Sequence, residues 1–176
     1  MRAAMRFLAF ALPAIAATFS VGAPAQAASF SCRETQIVRS NAALAPLSAK
    51  VSQGKALTIL AIGSSSTEGV GASAKDKTYP ARLQALLAKS WPKSQVEIVN
   101  AGIGGETAPQ TLARMKAAMA ARPYDLVIWQ VGTNDAVRGG DLDAFKAMIG
   151  EGISLVREAG PALTILDPQF FPAVRD

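Results

Sequence analysis

No histidine occurs anywhere in the 176 residues, and there is one cysteine, Cys32. The first absence removes the imidazole that hydrolytic sites commonly use to shuttle protons, and with it the usual nitrogen ligand for metals. The second rules out a disulfide within these residues and leaves no thiolate cluster for a metal. Lys and Arg are scattered rather than striped, and aromatic residues make up only 6% of the chain, so a nucleic-acid partner is not indicated. No Gly-Lys-Ser or Gly-Lys-Thr is present, which excludes a P-loop. Neither a metal nor an organic cofactor is expected.

What is present begins with a leader. Arg2 and Arg6 precede an apolar segment from Phe7 to Val21, and Ala25-Gln26-Ala27 provides a small-x-small cleavage site. Residues 1–27 therefore read as a secretory signal peptide, removed on export to the periplasm or the exterior. The apolar segment is too short for a stable membrane span. No Leu stands three residues before Cys32, so a lipoprotein anchor is not expected. An odd cysteine in an exported chain implies a free thiol, an intermolecular bridge, or a partner outside the residues given.

Residues 28–55 form a lead-in, with Leu44-Ala45-Pro46-Leu47 packing ahead of the Gln53-Gly54 turn, and residues 56–176 form the domain. The apolar run at 57–62 reads as a strand covered on both faces, 126–131 as another buried strand, and 96–100 and 163–166 as two further strands. Helical patterns separate them. Thr78 is placed to cap a helix with Pro80 in its first turn and Tyr79, Leu83, Leu86 and Leu87 on one face. Thr107 and Gln110 form a capping box for a helix whose Leu112, Met115 and Met119 face the core. Asp141 starts a third helix with Leu142, Phe145, Ile149 and Val156 on one side. This βα alternation implies a parallel sheet, hence an α/β fold organised as a three-layer α/β/α sandwich.

Three turns follow strands, and ligands of open α/β sheets bind at that edge. The first is Gly63-Ser64-Ser65-Ser66-Thr67-Glu68-Gly69. One reading of it is a polar loop that only caps the next helix. Another is nucleotide binding, because Gly69-Val70-Gly71-Ala72-Ser73-Ala74 fits a loose dinucleotide fingerprint, but that match starts well past the strand end. A third is a nucleophile turn, although the G-x-S-x-G elbow fails at Thr67. The second turn holds Gly102, Gly104 and Gly105, and the third holds Asn134 and Asp135. A serine that performs acyl transfer needs a base and donors for the carbonyl oxygen. Asn134 offers a side-chain amide, and the glycine loop and Ser65 itself offer backbone N–H groups. The bland alternatives are a tight turn for Gly104 and Gly105 and an Asx turn for Asn134-Asp135.

These residues together resemble the blocks of the SGNH or GDSL-type hydrolase family. Gly63-Ser64-Ser65-Ser66-Thr67 is similar to the first block, with Ser65 as nucleophile. Asn100-Ala101-Gly102-Ile103-Gly104-Gly105 is similar to the N-x-G-x-x-G block, which implies Gly105 as an oxyanion donor. Gly132-Thr133-Asn134-Asp135 is similar to G-x-N-D, which implies Asn134 as the second donor. Ser64 stands where the family has Asp, as in a bacterial branch that begins Gly-Ser-Ser-Ser-Thr. The last block, D-x-x-H, has no counterpart, since the base of the triad is missing and neither Asp135 nor Asp167 is an adequate substitute. The resemblance implies a flavodoxin-like SGNH fold cut short at the C-terminus, after the fourth strand. It also implies an exported hydrolase of small esters (lipid, acylated sugar or carboxylic ester), inactive as given. The rival expectation is a noncatalytic carbohydrate- or acyl-binding α/β module.

Overall fold

The structure is a computed structural model that describes residues 41–166. The leader at 1–27, Cys32, Asp167 and the Phe170-Phe171 tail lie outside the described residues. Four strands, β1 (Leu57–Gly63), β2 (Val96–Gly102), β3 (Leu126–Gln130) and β4 (Ala162–Leu166), form one parallel sheet in the order β2-β1-β3-β4. The helices are α1 (Asn41–Ser52), α2 (Ser65–Glu68), α3 (Tyr79–Ser90), α4 (Ala108–Ala121), α5 (Thr133–Val137) and α6 (Leu142–Ala159).

Side chains alternate across β1 and β3, so each strand feeds both faces of the sheet. Leu60, Ile62, Val127 and Trp129 pack under α4 and α6, against Leu112, Met115 and Val156. Leu57, Ile59 and Ile128 pack on the other side against Leu47 and Val51 of α1 and Leu83 and Leu87 of α3. This is the expected three-layer arrangement. Burial of β1 and β3 on both faces is the reason those two read as continuous apolar runs, whereas the edge strands β2 and β4 are only partly buried.

Helix α1 runs through Pro46 within the lead-in, where the sequence reading placed a packed segment without assigning a helix. Contacts of Leu47 and Val51 with the sheet hold it there despite the hydrogen bond that proline removes. Two apolar positions expected on core faces are instead exposed, Leu86 at 57% and Leu142 at 63%. Helix α3 meets the sheet through Leu83 and Leu87, a narrow stripe that leaves Leu86 on the flank. Leu142 is the first residue of α6, and the core contacts of that helix begin further on, at Phe145. Thr78 occupies the N-cap position of α3 without capping it, because its hydroxyl donates to the Lys75 carbonyl at 3.1 Å. The other two starts are as expected. Gln110 Oε1 accepts the Thr107 N–H at 2.9 Å, and Asp141 accepts the Ala144 N–H at 2.7 Å.

Trp129 is fully buried at the centre of the larger core and donates its indole N–H to Thr111 Oγ1 at 3.0 Å. Gly152 of α6 lies directly over that ring, where an added Cβ would stand 2.3 Å from Cζ3 and 2.6 Å from Cη2. The indole is fully buried and held by its bond to Thr111, so it cannot turn aside without losing that bond. Gly152→Ala is therefore expected to lower unfolding free energy by about 1–3 kcal/mol through overpacking, measured by urea denaturation. A variant as stable as the parent would show that α6 slides freely over Trp129.

Candidate active site

The register brings three strand ends level with one another. Gly63 pairs with Gly102, and Ile62 pairs with Trp129, so the turns after β1, β2 and β3 emerge side by side with the Ser65 turn in the middle. Ser65 is the first residue of α2. Its backbone N–H has no partner among the described residues, as expected at the start of a helix. Ser64 is buried, and its N–H and hydroxyl both donate to Gln130 Oε1, at 2.9 and 3.0 Å. Thr67 donates to the same oxygen at 3.4 Å and shares a 3.2 Å hydrogen bond with the Tyr79 hydroxyl. The Ser65 turn is thus fastened to the end of β3 through a buried amide. Gly63 makes that approach feasible, since a Cβ there would lie 2.4 Å from Thr67 Oγ1 and 2.8 Å from Gln130 Oε1.

The turn after β2 is held almost entirely through its backbone. The Ile103 N–H donates to the Gly63 carbonyl at 3.0 Å, and the Gly104 N–H donates to Glu68 Oε2 at 2.7 Å. The Gly105 carbonyl accepts from Arg138 Nη2 at 2.8 Å, and the Glu106 carbonyl accepts from Asn134 Nδ2 at 2.7 Å. The Ala108 N–H donates to both Asp135 carboxylate oxygens, at 3.0 and 3.1 Å. Behind the loop, Arg114 grips the Glu106 carboxylate with Nε at 2.9 Å from each oxygen and Nη2 at 2.5 Å, while Nη2 also reaches the Gly63 carbonyl at 3.5 Å. The side chains of this pair are 29% and 12% exposed.

Asn134 and Asp135 do not form a local Asx turn. Both reach across to the second turn, Asn134 as a donor to a carbonyl and Asp135 as a cap for α4. Gly105 has φ +79°, and a Cβ there would meet only Arg138 Nη2, at 3.7 Å. Its glycine is therefore required by backbone conformation rather than by crowding. Its N–H has no partner among the described residues. Gly102 is different, because a Cβ there would collide with the Glu68 N at 2.0 Å. It is a point where two backbones touch.

The structure accordingly groups Ser65, Gly105 and Asn134 at one edge. Sequence reading missed Glu68, Gln130, Arg114 and Arg138: Glu68, Gln130 and Arg138 bond to groups 33 to 66 positions away, and Arg114 joins Glu106, 8 positions before it, to the Gly63 carbonyl. The one local hint was Gln130 itself, a polar residue closing a buried apolar strand. Gln130 Nε2 is buried with no partner among the described residues.

Beside Ser65 opens a cleft of about 420 Å³, lined on its far side by Val70, Lys77, Tyr79 and Leu166. That volume is in the range of small-molecule sites. Burial pushes the Tyr79 phenol above its ordinary value of 10.0, outweighing the Thr67 hydrogen bond, which lowers it. The folded state therefore holds this proton to higher pH than the unfolded chain. The stabilisation is complete below about pH 10 and is lost as pH rises through the folded value. Tyr79→Phe is expected to flatten the alkaline fall in stability above that point, followed by denaturation at a series of pH values. An unchanged slope would mean that the phenol is not shielded.

Comparison with known proteins agrees with the fold. The model of the Non-GDSL lipase-like family matches residues 31–176. An arylesterase of Vibrio mimicus is 27% identical over 93 residues, covering 47% of this chain and 46% of that protein. Thioesterase 1/protease 1/lysophospholipase L1 of Escherichia coli strain K12 is 37% identical over 82 residues, covering 47% and 36%. The aligned parts thus take in less than half the length of these curated relatives. Among solved structures, AlinE4, a SGNH-hydrolase family esterase, superposes with a TM-score of 0.61 at 26% identity, covering 68% of this chain and 62% of that one. A two-domain esterase active on acetylated mannans gives 0.63 at 25%, covering 70% and 33%. Sheet, strand-end turns and relatives together define an SGNH/GDSL-type hydrolase. Within that class, the chain belongs to the Non-GDSL lipase-like family.

Proposed function

We propose that this chain carries the nucleophile and the oxyanion donors of a serine ester hydrolase. Ser65 Oγ attacks the ester carbonyl carbon, and the carbonyl oxygen gains negative charge. The Gly105 N–H and the Asn134 amide receive that charge. The tetrahedral adduct then collapses to an acyl-serine with release of the alcohol, and water completes the hydrolysis. The observation that carries this reading is the unused Gly105 N–H beside the Ser65 turn, with the N–H groups of Ile103, Gly104 and Glu106 on either side of it all bonded. Asn134 has two amide hydrogens, and its bond to Glu106 leaves one to donate. Substrates of the relatives support a small ester as ligand, and the cleft beside Ser65 has the corresponding size.

The proton of Ser65 needs a base, and the carboxylates at this edge are committed elsewhere, Asp135 to Ala108, Glu106 to Arg114 and Glu68 to Gly104. With no histidine in the 176 residues, these residues alone are proposed to be inactive. That absence also favours a second reading, a noncatalytic module that binds acyl or carbohydrate ligands in the same cleft.

Added imidazole separates the two. The 176-residue chain is expected to leave a chromogenic short-chain ester at its background rate, and imidazole to restore turnover that Ser65→Ala abolishes. Asn134→Ala should reduce the restored rate about 100-fold, the equivalent of about 3 kcal/mol of oxyanion stabilisation. Equal rates for the parent and a folded Ser65→Ala protein would favour the binding module. Export is proposed on the leader residues Arg2, Arg6 and Ala25-Gln26-Ala27. Sequencing the exported protein should give Ala28 at its N-terminus, and an intact Met1 would overturn this.

A further inference from the structure

We propose that Glu68 is a positioning residue that selects which N–H of the second turn faces the nucleophile and fixes its separation from Ser65; the inference builds on the proposed roles of Ser65 and Gly105. Glu68 stands three residues after Ser65, at the other end of the same four-residue helix. Its backbone presses on the end of β2, where an added Cβ on Gly102 would lie 2.0 Å from the Glu68 N and 2.5 Å from its Cα. Its carbonyl receives Asn100 Nδ2 at 3.5 Å, and its carboxylate takes the Gly104 N–H at 2.7 Å. One residue therefore joins the nucleophile helix to the second turn by packing and by hydrogen bonds at both its ends.

The carboxylate has no ion-pair partner among the described residues, so the Gly104 N–H is the group it serves. A hydrogen bond from a neutral donor to an ionised acceptor is about twice as strong as one between neutral groups. The bond is also close to the nucleophile. A Cβ placed on Gly104 would stand 2.9 Å from Glu68 Oε2 and 3.8 Å from the Ser65 Cβ. With Ile103 bonded to Gly63 and Gly104 bonded to Glu68, the next N–H in sequence, that of Gly105, is left to face outward. Without Glu68, the Gly104 N–H is free to compete for the same oxyanion, and the turn loses its side-chain bond to α2.

Glu68 is exposed, so truncating it removes the strap without opening the core. The test is amide exchange and ¹H–¹⁵N spectroscopy on the 176-residue chain, comparing Glu68→Ala with Glu68→Gln, which keeps an acceptor oxygen. Glu68→Ala should accelerate exchange at Gly104 about tenfold or more, as expected for loss of a hydrogen bond worth about 1.5 kcal/mol or more. It should also shift the Gly105 N–H and the Asn134 side-chain amide, while leaving the core amides of Leu60 and Val127 unchanged. Glu68→Gln should keep all of these near the parent values. In the imidazole-assisted assay, Glu68→Ala should lower kcat by about 10- to 100-fold through misplacement of the donor, with little change in KM.

The proposal is overturned if Gly104 exchanges at the parent rate in Glu68→Ala, if Glu68→Gln behaves like Glu68→Ala, or if core amides loosen equally. A rise in KM at constant kcat would also overturn it, since Glu68 would then be a substrate contact. The spectroscopic arm requires no ester turnover. Failure of the Ser65 chemistry therefore leaves it readable, and failure of the strap leaves the Ser65 test intact.

Discussion

The edge of the sheet depends on one backbone contact, the passage of Gly102 beneath the last residues of α2. A side chain at 102 would enter the space held by the Glu68 N and Cα, so the turn after β2 and the turn after β1 lie as close as two main chains can. That closeness puts a carboxylate from α2 within reach of the Gly104 N–H, and puts the Ile103 N–H on the Gly63 carbonyl. The third turn then closes on the second through Asn134 and Asp135. Each turn is short and polar and would not hold its shape alone. Together they form a network in which backbone groups of one turn are bound by side chains of the next, as buried or half-buried polar groups require.

The parallel sheet supplies the alignment this network needs. Strand β1 has partners on both sides, and all three neighbouring strands run in one direction, so their turns cannot separate without breaking ladder hydrogen bonds. The Ser64–Gln130 pair adds a buried tie from β1 to β3. An amide oxygen that accepts from a backbone N–H and a hydroxyl costs little to bury, whereas either donor left alone there would cost about 1–3 kcal/mol. Positioning at this edge therefore comes from the sheet, and the final adjustment comes from a few side chains.

Much of this was legible in the sequence, for definable reasons. The central strands β1 and β3 were legible because burial on both faces leaves an uninterrupted apolar run, and the α4 start was legible because Thr107 and Gln110 are three residues apart and interact locally. Ser65, Gly105 and Asn134 could be nominated because each stands just past a strand. Thr78 misled because a hydroxyl at an N-cap position has two nearby acceptors or donors to choose from, and here the Lys75 carbonyl prevails. Leu86 and Leu142 misled because helical periodicity gives a face but not how wide a stripe the sheet will cover. Glu68, Gln130 and Arg138 could not be found from spacing, since their partners come from other turns, and Arg114 escaped because its link to Glu106 crosses the start of α4, outside helical i,i+4 spacing. Gly102 read as part of a donor loop and Gly152 as an ordinary glycine, whereas the neighbouring backbone and the Trp129 ring are what require them.

Ile103 and Val137 stand on the turns that flank the Ser65 helix, and their side chains are 46% and 50% exposed. The bonds that tie those turns together involve neither of these outward side chains. A fold built in this way can change the texture of its rim, one residue at a time, while the strand-end geometry underneath stays still. Substitution is cheap at positions 103 and 137 and expensive at 102.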